Sequence, residues 1–348
     1  MEIEKLVRPN ILRLVPYSSA RSEFKGHAGV FLDANENPFD NGLNRYPDPL
    51  QQKLKTEISM LKNIPTSRIF LGNGSDEAID LLVRIFCIPT QDHIIILPPT
   101  YGMYQVAADI ADVEIRQIPL TSDFQPDVEA ILNAAGPQSK ILFLCSPNNP
   151  TGNAFHPQIL RQLAKAFPGI VVVDEAYIDF SEDPGALPLL PEFPNLVVLQ
   201  TFSKAWGLAA IRLGMAFAGE PIIHLLNKVK APYNLNLLSQ EKALQAIRDP
   251  GHKQQMVQVL LEERKRLANA LSAFPFVRQI FPSDANFLLV RVDAPGKLYD
   301  FLTRHGIIVR NRSSVLLCEG CLRISIGTPD ENAVLLQALN IFTSADQP

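Results

Sequence analysis

Short runs that are apolar at almost every position recur through the middle of the chain: HIIIL (93–97), KILFLCSP (140–147), GIVVVDEAY (169–177), LVVLQTFSK (196–204) and LGMAFAG (213–219). Between several of them the apolar residues fall at helical spacing. In SDEAIDLLVRIF (75–86) Ala78, Leu81, Leu82 and Ile85 share a face, and in PQILRQLAKAF (157–167) Ile159, Leu160, Leu163 and Phe167 do. A strand without polar alternation is covered on both faces, so the pattern predicts an α/β fold with a mostly parallel central sheet.

The texture changes after Asp249-Pro250-Gly251. A long charged amphipathic helix is predicted through 256–274, followed by strand-like FLLVRV (287–292), helical KLYDFLTRH (297–305), strand-like IIVR (307–310) and LRISIG (322–327), and a last helix from about 330. The first 30 residues hold Pro9, Pro16 and no clear strand. The expected organisation is therefore an N-terminal arm (1–30), a large domain (31–249) and a smaller C-terminal α/β domain (250–348), with no internal repeat.

Composition narrows the partners. Among 348 residues, 32 Lys plus Arg stand against 36 Asp plus Glu, a net charge of −4 without any long basic run. Nucleic acid and anionic membrane surfaces both call for concentrated positive charge, so small molecules are the expected ligands. No apolar run approaches the ~20 residues of a membrane span. The start, MEIEKLVRPNILRL, is acidic at once and lacks the apolar core of a secretory signal. Four cysteines are too sparse for a disulfide scaffold, which makes a reducing cytoplasm the expected compartment.

Open α/β sheets bind ligands beyond the C-terminal ends of their strands, and that is where polar residues gather here. LFLCSPNNPTG (142–152) ends a strand in a turn carrying Asn149, and VVVDEAY (171–177) sets Asp174 after an apolar run, with Tyr177 three residues on. A carboxylate at the rim of a buried sheet needs a cationic or protonated partner. In LQTFSKAWGLAAIRLG (199–214), Ser203 and Lys204 follow a strand and Arg212 precedes the next. Poor hydration there lowers a lysine's pKa and suits it to capturing an aldehyde. Upstream, LGNGSDEAIDLL (71–82) leads two glycines and Ser75 into a helix whose first amides could hold a phosphate, or which could simply be N-capped. Singly, each of these is ordinary turn or surface chemistry. Together they supply an amine, an acid for a pyridinium nitrogen and phosphate donors, the needs of one cofactor.

At these residues the chain resembles the fold-type I pyridoxal-phosphate aminotransferases. The resemblance rests on VRPNILRLVPY (7–17), LDANENP (32–38), RYPDP (45–49), GNGSDEAIDLL (72–82), PPTYGMY (98–104), SPNNPTG (146–152), VVDEAYIDF (172–180), FSKAWGLAAIRLG (202–214) and LRISIGT (322–328), which run in order along nearly the whole chain. It implies pyridoxal 5′-phosphate bound as an aldimine to Lys204, which then moves the substrate's Cα proton. It implies that Asp174 holds the pyridine nitrogen protonated, that Asn149 and Tyr177 bond the ring oxygen O3′, and that Tyr101 stacks on the ring. The cofactor phosphate would be held by the Ser75 and Asp76 amides, the Ser203 hydroxyl and Arg212. Tyr46 would reach the phosphate of a neighbouring subunit, which implies a homodimer with shared active sites.

For substrate, the resemblance implies L-histidinol phosphate with 2-oxoglutarate as amino acceptor, a step of histidine biosynthesis. Arg323, Arg310 and Tyr17 match the residues for the substrate's anionic groups, and Asn35 either faces the substrate or only shapes its loop. Threonine-phosphate decarboxylation, transamination of aromatic amino acids or aspartate, and regulatory cofactor binding without catalysis are the alternatives. Cys318 and Cys321 have CxxC spacing without a second such pair, and the six histidines show no ligand spacing, so no metal is expected. Trp206 is expected to pack. GNGSDE lacks the third glycine of a dinucleotide fingerprint, which disfavours a Rossmann oxidoreductase.

Overall fold

A computed structural model of the chain describes residues 2–17 and 29–345. Its larger sheet has seven strands: β1 (Ile69–Asn73), β2 (His93–Ile96), β3 (Glu114–Gln117), β4 (Ser139–Cys145), β5 (Ile170–Asp174), β6 (Leu196–Thr201) and β7 (Leu213–Ala218), in the order β1-β7-β6-β5-β4-β2-β3. Neighbours from β3 through β6 pair in parallel, whereas β7 is antiparallel to both β6 and β1. Only β7 is thus reversed, and its first residue lies on the edge where the other strands finish.

Both faces of this sheet are buried, as the unbroken apolar runs require. Leu142, Leu144, Val171, Val173 and Val198 enter one core cluster, while Ile141, Phe143, Ile170, Val172 and Val197 enter the other. This alternation fixes the faces of the residues that follow. Asp174 continues on the side of Ile170 and Val172, and Glu175 turns to the opposite side. The start of the chain packs on the second cluster through Ile3, Val7 and Ile11, with the Arg8 amide donating to the Ile85 carbonyl at 3.0 Å.

A second, antiparallel sheet follows: β8 (Val277–Ile280), β9 (Phe287–Val292), β10 (Arg310–Asn311) and β11 (Cys321–Ser325), ordered β10-β11-β9-β8. One of its faces, with Leu288, Val290, Leu322 and Ile324, packs on helices Pro250–Leu271, Pro295–Arg304 and Pro329–Ala345. The other face sends Leu289 and Cys321 into a core cluster of the larger sheet. Cys318 and Cys321 are buried free thiols, and Trp206 packs on Phe202 at 5.1 Å between centroids. The strand expected over 307–310 reduces to Arg310–Asn311, because 307–309 find no partner strand.

Candidate active site

A cavity of about 150 Å³ opens at the edge where β4, β5 and β6 end and β7 begins. It is lined by Ser75, Asp76, Tyr101, Asn149, Asp174, Tyr177, Ser203, Lys204 and Arg212, so nine of the residues singled out in the sequence converge on it. The reversal of β7 is what brings Arg212 there. Arg212 occupies the left-handed region at φ +52°, and its carbonyl accepts from the Gly74 amide at 2.7 Å.

At this end of the cavity the helix Gly74–Phe86 begins. Its N-cap residue, Asn73, does not cap it; the side-chain amide donates instead to the Asn234 carbonyl. The Ser75 and Asp76 amides therefore have neither an intrahelical acceptor nor a cap, and the positive end of the helix is free for an anion. Close approach of the backbone makes this possible. A Cβ on Gly214 would lie 2.1 Å from the Gly74 carbonyl carbon and from the Ser75 nitrogen, so only glycine lets β7 abut the helix start. Around it, Asp76 accepts from the Tyr101 hydroxyl at 3.1 Å and pairs with Arg212 at 3.4 Å, and the Ser203 hydroxyl accepts from Thr201 Oγ1 at 3.0 Å.

At the other end lies Asp174, 2% exposed. Burial raises its carboxyl to about 6, against the lowering effect of two donors, the Tyr104 hydroxyl at 2.7 Å and the Ala176 amide at 3.2 Å. The Lys204 side chain is open at the cavity mouth, with Nζ 5.6 Å from the centre of the Tyr177 ring. Desolvation first, and the Arg323 guanidinium second, hold the amine below the ordinary lysine range, while Asp174 and Asp76 pull it back up.

Arg323 enters from the second sheet. It stands opposite Leu289 on β9 and opposite Arg310 on β10, hence on the face turned toward the larger sheet. Its Nη1 donates to Asn149 Oδ1 at 2.5 Å, Asn149 Nδ2 donates to the Tyr177 hydroxyl at 3.3 Å, and the guanidinium lies over Phe287 at 5.2 Å. The sequence reading passed over two neighbours. Arg312 extends the same register through its amide bond to the Cys321 carbonyl at 2.9 Å, and its pKa is lowered by burial and by Arg323 and Arg310. Tyr104 is the last residue of PPTYGMY, one helical turn beyond Tyr101. The Nε atoms of Arg312 and Arg323 are buried without a hydrogen-bond partner. No carboxylate pairs with Arg310, Arg312 or Arg323 among the described residues.

Five sequence candidates are not part of the cavity lining: Arg323 reaches its rim through Asn149, Arg310 is exposed beside Arg323 on the second sheet, and the other three lie elsewhere. Tyr17 is 72% exposed and lines a separate hollow with Lys228 and Lys230. Tyr46 stacks on Tyr233 at 4.4 Å beside another hollow. Asn35 sits exposed in the left-handed region at φ +56°, as loop shaping requires. Among the described residues no cluster of His, Cys, Asp and Glu could hold a metal.

The profile of one family, aminotransferase class I and II, matches residues 31–339. The chain belongs to that family. A histidinol-phosphate aminotransferase of Cytophaga hutchinsonii is 54% identical to this aminotransferase over 344 residues, covering 98% of this chain and 99% of that one. Two solved structures share its fold. The histidinol-phosphate aminotransferase from Clostridium acetobutylicum has a TM-score of 0.80 at 24% identity, covering 87% of this chain and 92% of that one. The enzyme of the same name from Sinorhizobium meliloti, solved in complex with pyridoxal-5′-phosphate, has a TM-score of 0.79 at 23% identity, covering 86% and 83%.

Proposed function

We propose that this aminotransferase uses pyridoxal 5′-phosphate to move the amino group of L-histidinol phosphate to 2-oxoglutarate, a step of histidine biosynthesis. The observation that carries the reading is that one cavity holds the Lys204 amine, the Asp174 carboxyl and an uncapped helix start. These residues fit the cofactor. The Ser75 and Asp76 amides, Ser203 and Arg212 would take the phosphate, Asp174 the ring nitrogen, Asn149 and Tyr177 the ring oxygen, and Tyr101 would wall the ring.

When bound, the cofactor supplies an aldehyde that condenses with primary amines and a protonated ring that accepts the electron pair left by a departing Cα proton. The protein supplies the rest. Lys204 Nζ, held below the usual lysine range, takes the Cα proton and later returns one. Asp174, once ionised, would accept a hydrogen bond from the ring nitrogen and so favour its protonated form.

The name of the Cytophaga relative supports the substrate, and so does the arginine cluster. Arg310 and Arg323 stand side by side on the second sheet with Arg312 two positions on, and Arg323 reaches the cavity rim at Asn149. No carboxylate pairs with the three among the described residues, which leaves a seat suited to a phosphate dianion and to dicarboxylates. We assign 1–30, 31–249 and 250–348 as arm, cofactor domain and small domain. A second copy of the chain covers the segment that exposes Leu32 (89%) and Phe39 (81%), and brings Tyr17, Asn35 and Tyr46 to the neighbouring site. Four buried free thiols accord with the cytoplasm.

The test is a spectral half-reaction screen of the cofactor-loaded protein with L-histidinol phosphate, glutamate, threonine phosphate, aspartate and phenylalanine. Conversion by the first two supports the reading. Carbon dioxide release from threonine phosphate, or reaction with aspartate and not histidinol phosphate, would replace it.

A further inference from the structure

We propose that Tyr104 is the positioning residue that keeps the Asp174 carboxylate ionised and aimed at the cofactor's ring nitrogen; this rests on the assignment of that nitrogen to Asp174. Tyr104 is wholly buried, stacked on Phe143 at 4.6 Å with 7° between the planes, and edge-on to Tyr101 at 5.6 Å. A ring pinned on two sides cannot swing. Its hydroxyl therefore stays at 2.7 Å from Asp174 Oδ2, behind the cavity wall.

A buried carboxyl tends to keep its proton, and a neutral acid cannot pair with a protonated ring nitrogen. Two donors oppose this, one on each oxygen: Tyr104 on Oδ2 and the Ala176 amide on Oδ1. Of the two, the Tyr104 donor is the one that a side-chain change removes while leaving the backbone intact. The charged and titratable groups facing Asp174 are Tyr104 from the helix Met103–Ile110 and Tyr101 just before it, Cys145 from the end of β4, Tyr177 after β5, Asp76 from the start of the helix Gly74–Phe86, and Lys204 after β6. Burial holds the phenol of Tyr104 and the thiol of Cys145 protonated well above neutral pH, so the hydroxyl remains a donor wherever the enzyme works.

The test is binding of pyridoxamine 5′-phosphate, which has no aldehyde to react with Lys204, to the cofactor-free protein between pH 5 and 8.5, followed by fluorescence. In the parent, affinity falls on the acid side as Asp174, at about 6, takes up its proton. In Tyr104→Phe that fall moves up by about one pH unit, a lost hydrogen bond to a charged group, making binding about fivefold weaker at pH 6 and little changed at pH 8. The ligand's own titrations are common to both proteins and cancel. In an Asp174→Asn background the same substitution leaves the pH profile where it was.

A profile that stays in place, or an equal loss at every pH, overturns the proposal, the latter marking Tyr104 as packing only. Absence of binding to the parent at any pH would instead sink the cofactor assignment. Should Tyr104→Phe not fold, 3-fluorotyrosine at position 104 keeps the ring and gives a stronger donor. Its acid limb then moves to lower pH, and an unmoved limb overturns the proposal.

Discussion

Arg323 on the second sheet donates to Asn149 on the larger one, and the same Asn149 side chain donates to Tyr177. One amide thus couples the substrate side of the cavity to its cofactor side. Asn149→Ala frees the guanidinium and removes a donor from Tyr177. KM for both amino donor and acceptor is expected to rise by roughly tenfold, with weaker cofactor retention, the loss of one charge-assisted hydrogen bond. Steady-state kinetics with a dialysis assay of cofactor loss checks both halves.

Arg312 is expected to distinguish the two proposed substrates. It adds a third positive charge on the face of Arg310 and Arg323, which favours a phosphate dianion over a carboxylate. Arg312→Gln should raise KM for histidinol phosphate by about tenfold and KM for glutamate by less than about threefold. Equal effects on both would show that Arg312 does not read the phosphate.

The edge chemistry was legible because apolar runs that finish in Asp174 or Lys204 announce both a strand and its end. What lay between β6 and β7 was less so. LGMAFAG has the same apolar character in either direction, so only pairing reveals that β7 runs backward and that Arg212 stands at its entrance. Tyr104 was hidden for a related reason: an aromatic one turn beyond Tyr101 looks like core, and its ring is core while its hydroxyl is not. The strand-like IIVR drew attention to Arg310 and away from Arg312, two positions further along the same ribbon face. Tyr17, Asn35 and Tyr46 carry motif signals but lie away from the cavity, and on the two-subunit reading proposed above their meaning lies between copies of the chain, which periodicity within one chain does not encode.

Glu175 gives a pH-dependent stability. It is fully buried on the side opposite Asp174, accepts from the Ala186 amide and from Gln200 at 2.8 Å, and burial raises its carboxyl from 4.5 to about 7. A carboxyl raised in the folded state favours folding below its unfolded pKa, and that contribution is lost as pH climbs from about 4.5 through 7. The size is up to roughly 3 kcal/mol. In Glu175→Gln the slope disappears, and Gln200 Oε1, now without a partner, can accept from the new amide after a flip. Urea melts of the cofactor-free protein should show the variant gaining on the parent between pH 5.5 and 8; parallel curves would refute this.

Gly214→Ala places a methyl 2.1 Å from the Gly74 and Ser75 backbone. Either β7 or the helix start must move. A loss of about 3 kcal/mol in stability is expected, together with a tenfold or greater loss in affinity for a phosphate-bearing cofactor. Calorimetry and a binding titration distinguish the two.

The central claim is that the amine of Lys204 and the acid of Asp174 serve one ring. Its most direct test is to load the protein with pyridoxal 5′-phosphate, reduce with borohydride, digest, and locate the pyridoxyl-lysine by mass spectrometry. The account predicts a single modified site at Lys204, with the label's loading weakened about tenfold or more in Asp174→Asn. Labelling at Lys55, Lys62 or Lys230 in its place, or loading indifferent to Asp174, would contradict it.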